Sequence, residues 1–96
     1  MPRSVIERKL TEVGARLEEL RRELVVSEQQ LVQLVDEADD ARLRALITEN
    51  RLAEKESRNA QKHAEAMTRH RAKVKSEITQ LEQTQDDLLD RLTAGS

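Results

Sequence analysis

Apolar residues recur along almost the whole chain in alternating steps of three and four. From the N-terminus the stripe reads Ile6, Leu10, Val13, Leu17, Leu20, Leu24, Ser27, Leu31, Leu34, Ala38, Ala41 and Ala45. In the second half it reads Ala53, Ser57, Ala60, Ala64, Met67, Arg71, Val74, Ile78, Leu81, Gln85, Leu88 and Leu92. This 4–3 spacing is the heptad signature of a coiled coil, because it keeps one seam of an α-helix turned toward a partner helix. With Leu10, Leu17, Leu24, Leu31, Ala38 and Ala45 at position a, the d positions of the first half are Ile6, Val13, Leu20, Ser27, Leu34 and Ala41. In the second half Ser57, Ala64, Arg71, Ile78, Gln85 and Leu92 are a, and the rest are d.

The two registers do not join. Continuing from Ala45 puts the next a at Leu52, whereas the second register demands Asn50. The break falls on Thr48, Glu49 and Asn50. Asn tolerates left-handed backbone and is a good N-cap, so it can end one helix and begin the next. The reading is helix 1 over about residues 5–47, a turn at about 48–51, helix 2 over about 52–92 and a frayed tail at 93–96. Ser4 and Glu7 have the spacing of a capping box at the start of helix 1. With no Gly or Pro at the break, an unbroken kinked helix is the competing arrangement.

Residue sizes favour reversal. In an antiparallel pair, seam residues meet at a constant sum of residue numbers, here 98: Ile6 with Leu92, Leu10 with Leu88, Leu17 with Leu81, Leu20 with Ile78, Leu31 with Met67, Ala38 with Ala60 and Ala45 with Ala53. Large residues meet large ones at the open end, and small meet small near the turn, where small side chains let helix axes approach closely. The expected fold is all-α: an antiparallel two-helix coiled-coil hairpin that dimerises into a four-helix bundle. A lone hairpin buries only one narrow seam and is marginally stable, so a partner is expected.

Helix 1 carries apolar residues that the seam does not use. Val25, Val32, Val35, Leu43, Leu46 and Ile47 form the candidate partner interface, for a second copy or an unidentified protein. Val26 is a further surplus residue, and helix 2 offers little beyond Leu89. Ser27, Arg71 and Gln85 make two seam layers polar, which can fix register, while the Arg71 stem can also carry its charge outward. Flanking charges such as Arg42 and Glu54, or Arg44 and Glu56, can pair across the seam.

Composition agrees with this architecture and removes most chemistry. The 96 residues hold no Trp, Tyr, Phe or Cys, two Gly and one Pro, and 38 % are charged. That is the composition of a long helix rather than of an aromatic-filled globular core. Seventeen basic against nineteen acidic residues give a net charge of −2, so nothing in the overall balance favours nucleic acid or an anionic membrane. No apolar run reaches the ~18 residues of a membrane span, and no signal segment is evident, so the expected location is cytoplasmic. His63 and His70 are seven residues apart, about 10 Å along a helix, too far to share a metal. The acidic cluster Asp36, Glu37, Asp39 and Asp40 lacks the loop and glycine of a calcium site. There is no phosphate loop or nucleophile motif. The expectation is a non-enzyme with no cofactor and no metal.

The stretch Asp39-Asp40-Ala41-Arg42-Leu43-Arg44-Ala45-Leu46, with Ala60-Gln61-Lys62-His63-Ala64-Glu65-Ala66-Met67, resembles small uncharacterised coiled-coil proteins of high-GC Gram-positive bacteria, the actinobacteria. That resemblance implies a bacterial cytoplasmic origin and no assigned activity. Thr48-Glu49-Asn50 also resembles the end of the Asp-x-Ser-Glu-Asn tip of Gre-type transcript cleavage factors, whose hairpins enter an RNA polymerase channel. Leu46 replaces the leading Asp, so this likeness implies polymerase binding without cleavage. Glu37 and Arg44 fit the helical Glu-x3-Ser-x2-Arg-x3-Gln-x3-Asp pattern of coiled-coil anti-sigma factors that bind cyclic di-GMP, while Ala41, Thr48 and Leu52 depart from it. The alternatives to a protein-interaction scaffold are therefore a transcription regulator that grips polymerase or a sigma factor, and a nucleotide second-messenger sensor.

Overall fold

The computed structural model describes residues 1–94 and consists of two helices, α1 (Arg3–Thr48) and α2 (Arg51–Ala94), with no strand among the described residues. The chain reverses between them and forms a helical hairpin. Of the expected tail, Thr93 and Ala94 continue α2; Gly95 and Ser96 lie outside the described residues.

The reversal takes two residues. Glu49 adopts a left-handed backbone with φ of 50°. Its N–H still donates to the Ala45 carbonyl at 3.1 Å, the bond that closes a helix with a left-handed residue just past its end. Asn50 then caps α2: its Oδ1 accepts from the Ala53 N–H at 2.8 Å, and its carbonyl accepts from the Glu54 N–H at 3.1 Å. The left-handed residue is thus Glu49, not Asn50, which serves only as the cap. Thr48 remains inside α1, where its hydroxyl donates to the Arg44 carbonyl at 2.7 Å.

The start of α1 differs from the expected capping box. The Pro2 carbonyl accepts from the N–H groups of Val5 and Ile6 at 3.1 and 3.2 Å, so Ser4 lies within the first turn and cannot act as the cap. Glu7 pairs with Arg3 Nε at 2.8 Å instead of reaching back to a backbone amide. Proline suits this entry because it has no N–H to leave unpaired and its φ is already near the helical value.

Two compact units make up the hairpin, and each contains part of both helices. The first joins Met1–Leu24 to the segment from Lys73 onward. Its buried residues are Ile6, Leu17, Leu20, Val74 and Leu88, all at a or d positions. Its two interhelical ion pairs, Arg16 with Glu77 at 3.2 Å and Arg21 with Glu82 at 3.6 Å, join residues whose numbers sum to 93 and 103. These values lie equally on either side of 98, as g–g and e–e flanks of an antiparallel seam do. Hydrogen bonds to Glu19 and Glu77 also hold the Arg16 guanidinium above its ordinary pKa.

The second unit is Val25–Ala72. Here the buried seam residues are small: Ala38, Ala41, Ala64, Ser27 and Ser57. Its interhelical ion pair joins Arg71 Nε to Glu28 Oε1 at 3.8 Å. The expected pairs Arg42–Glu54 and Arg44–Glu56 are not among the ion pairs of the described residues. No side-chain nitrogen or oxygen shut off from solvent lacks a hydrogen-bond partner among the described residues.

Candidate functional site

The polar seam positions sort by unit. Ser27 is 2 % exposed, in the Val25–Ala72 unit. Arg71, in the same unit, is half-buried and directs its guanidinium to Glu28 at the seam edge. A long aliphatic stem on an a position can do this, because it lies along the seam while the charged head stays in water. Gln85 is half-buried in the other unit, so the three expected polar residues do not form one cluster. Ser57 is also buried and accepts from Gln61 Nε2 at 3.4 Å.

All six candidate interface residues are exposed: Val25, Val32, Val35, Leu43, Leu46 and Ile47. Ile47 is the most open of the large apolar side chains, at 80 %. Val26 and Leu52 add to the same unit, and Leu52 was not expected. Among the described residues, the other unit exposes only Met1 and Leu89 of its large apolar side chains. Helical geometry explains which face this is. Val25, Val32 and Leu46 occupy b, Val35 occupies e and Leu43 occupies f, a sector that runs from the seam edge round to the side of α1 opposite the seam, whereas Val26 and Ile47 occupy c on the other flank.

On the b and e side of α1 lies an open groove of about 360 Å³, lined by Glu28, Leu31, Val32, Val35, Asp36 and Arg71. Its floor is apolar. The Arg71–Glu28 ion pair and Asp36 contribute its polar lining. The groove therefore needs both helices: α1 supplies the apolar surface and α2 supplies the basic wall.

Near the turn, Leu43, Leu46, Ile47 and Leu52 are accompanied by Arg42, Arg44 and Arg51, all exposed. Between the tip and the groove, α1 presents the exposed acids Asp36, Glu37, Asp39 and Asp40. Among the described residues, no group of three or more His, Cys, Asp or Glu side chains converges as a metal site, and no helix is long and apolar enough to cross a membrane. The site is thus an apolar flank punctuated by opposite charges, an arrangement suited to binding another protein surface. Comparison with protein-family models, with curated proteins and with solved structures finds no match to this chain.

Proposed function

We propose that this chain is a non-enzymatic coiled-coil interaction module that self-associates through the α1 flank and presents its tip to a protein partner. Two hairpins side by side make a four-helix bundle, the smallest assembly that covers such a flank. One observation carries the reading. Eight of the ten exposed large apolar side chains among the described residues belong to the Val25–Ala72 unit, and seven of those eight lie on α1. Scattered exposed apolar residues are ordinary, but a one-sided concentration on a single helix is the mark of a surface that another molecule covers.

Light scattering of the intact chain over a concentration series tests this. The expected mass rises toward that of a dimer, and the double substitution Val32→Glu/Val35→Glu returns it to that of a monomer with helicity retained. Leu89→Glu, in the other unit, leaves the mass of the dimer unchanged. A chain that stays monomeric up to about 1 mM, the limit of a specific weak complex, overturns the reading. So does a dimer indifferent to the double substitution.

A further inference from the structure

The chain reverses at a turn that has neither glycine nor proline. Only Glu49 and Asn50 lie between α1 and α2, and Glu49 holds a left-handed backbone, φ 50°, that is unfavourable for any residue with a Cβ. Thr48, Arg51 and Leu52 on either side are already helical. Bringing two residues into the helical range would join α1 and α2 into one rod. Short hinges of this kind, under strain, are where copies of a chain exchange identical elements. Two antiparallel rods would let α1 of each copy pair with α2 of the other and repeat the seam contacts of the hairpin. Backbone preference at the turn therefore does not explain why the chain closes on itself.

The heptad register does. The a positions Ala45 and Ser57 are twelve residues apart, where an unbroken repeat requires seven or fourteen. At 3.5 residues per turn each residue advances about 103° in the frame of the seam. On a continuous helix the two missing residues therefore set the α2 seam about 150° away from the α1 seam. A stutter or a stammer, which inserts four or three residues, displaces a seam by only about 50° and is absorbed by a local change in winding. A displacement three times as large is not. A rod that turned Ala38, Ala41 and Ala45 toward its partner would turn Ser57, Ala60 and Ala64 nearly opposite. In the hairpin the turn frees each helix to take its own phase, and Ala38, Ala41, Ser57 and Ala64 are all buried.

We propose that this register step is a conformational lock. It makes pairing within one chain the only arrangement that buries both seams, and it excludes the opened dimer in which α1 and α2 are exchanged. The self-association proposed above leaves each hairpin intact, so the lock does not depend on it.

The test changes register while keeping helix preference. Two variants of the full chain carry Asn50→Ala, which removes the cap on the Ala53 amide, together with alanines inserted between residues 49 and 50. Two alanines restore fourteen residues between Ala45 and Ser57 and align the seams on a continuous helix. Four alanines make the spacing sixteen and leave the seams about 150° apart in the opposite sense. Both insertions favour helix by propensity, so seam alignment is what separates them. Pairing is read from Arg16→Cys and Glu77→Cys, because these side chains meet across the seam at 3.2 Å and the chain has no native cysteine. A short bismaleimide links the two sites within one chain in the hairpin and between chains in the exchanged dimer. Single-cysteine chains, refolded together, link only in the exchanged dimer.

The reaction is run at about 1 mM chain, near the effective concentration that a short linker gives two tethered segments. All variants should keep their helicity by circular dichroism. The parent chain and the four-alanine variant should give within-chain product in roughly tenfold excess or more. The two-alanine variant should give mainly between-chain product. Exchange in the parent chain, equal exchange in the two insertion variants, or within-chain product alone from the two-alanine variant overturns the lock. None of these results bears on self-association through the α1 flank, which leaves both linkage sites within their own hairpin.

Discussion

Leu17 is 1 % exposed, and its truncation measures how much the seam contributes to stability. Leu17→Ala removes three carbons from a buried site. At about 0.8 kcal/mol per buried methylene the transfer cost is about 2.4 kcal/mol. A globular core adds a cavity penalty to such a loss, but a seam only two helices deep opens to solvent on both flanks, so the gap collapses or fills. Alanine's higher helix propensity returns a few tenths of a kcal/mol. The expected loss is about 2 kcal/mol, a large share of the roughly 5–14 kcal/mol expected for a chain of this length. With a urea m-value of about 1–2 kcal/mol/M, the midpoint followed by helical circular dichroism should fall by about 1–2 M. Val26→Ala, at a position 49 % exposed, provides the control and should shift stability by no more than about 0.5 kcal/mol. Both proteins are compared at several concentrations so that self-association contributes equally. A loss below about 1 kcal/mol for Leu17→Ala, or an equal loss for the two variants, would refute the assignment of the seam.

Two backbone positions offer further tests. Gly14 lies inside α1, and a Cβ built on it meets nothing within 4 Å. Gly14→Ala should therefore raise stability by about 0.5–1 kcal/mol through helix propensity and a less flexible unfolded chain, and thermal melts that show a decrease would contradict the open space seen there. At the turn, Asn50→Ala should cost about 1 kcal/mol by removing the cap on the Ala53 amide. Glu49→Gly should gain about 1 kcal/mol by relieving the left-handed backbone. Urea titrations that reverse these two signs would reject the division of roles between the two residues.

The seam was legible in the sequence because its signal is redundant. The heptad placed even Ser27 and Arg71 facing α2, against their polarity, and the structure finds Ser27 buried and Arg71 half-buried. The surplus apolar residues on α1 could be identified by subtracting the seam from the apolar total. The turn was legible only to within two residues. Asn50 has the side chain better suited to left-handed backbone, yet Glu49 adopts it while Asn50 caps the Ala53 amide. The interhelical ion pairs were misplaced for a geometric reason. Long side chains at g and e reach diagonally, so Arg16 finds Glu77 and Arg21 finds Glu82, each five off the sum of 98, whereas the expected Arg42–Glu54 and Arg44–Glu56 lie only two off it. Leu52 escaped notice because it lies beside a seam alanine at the very start of α2, where no periodic signal has yet built up.

The distribution of apolar residues links folding to association. Leucine, isoleucine and valine fill the buried seam of the first unit, whereas the buried seam of Val25–Ala72 consists of alanine and serine. Alanine and serine bring axes close but remove little apolar area from water, so this unit draws less stability from its own seam. Its larger seam residues Leu31, Leu34 and Met67 are only half-buried, and Val32, Val35, Leu43 and Leu46 lie off the seam and are exposed. Their area becomes useful only when another surface covers it. A ligand that binds only the folded form stabilises it by mass action, and a second copy docked on the α1 flank, as proposed, would act as such a ligand. The Val25–Ala72 unit is thus the one whose stability the proposed self-association would raise with chain concentration.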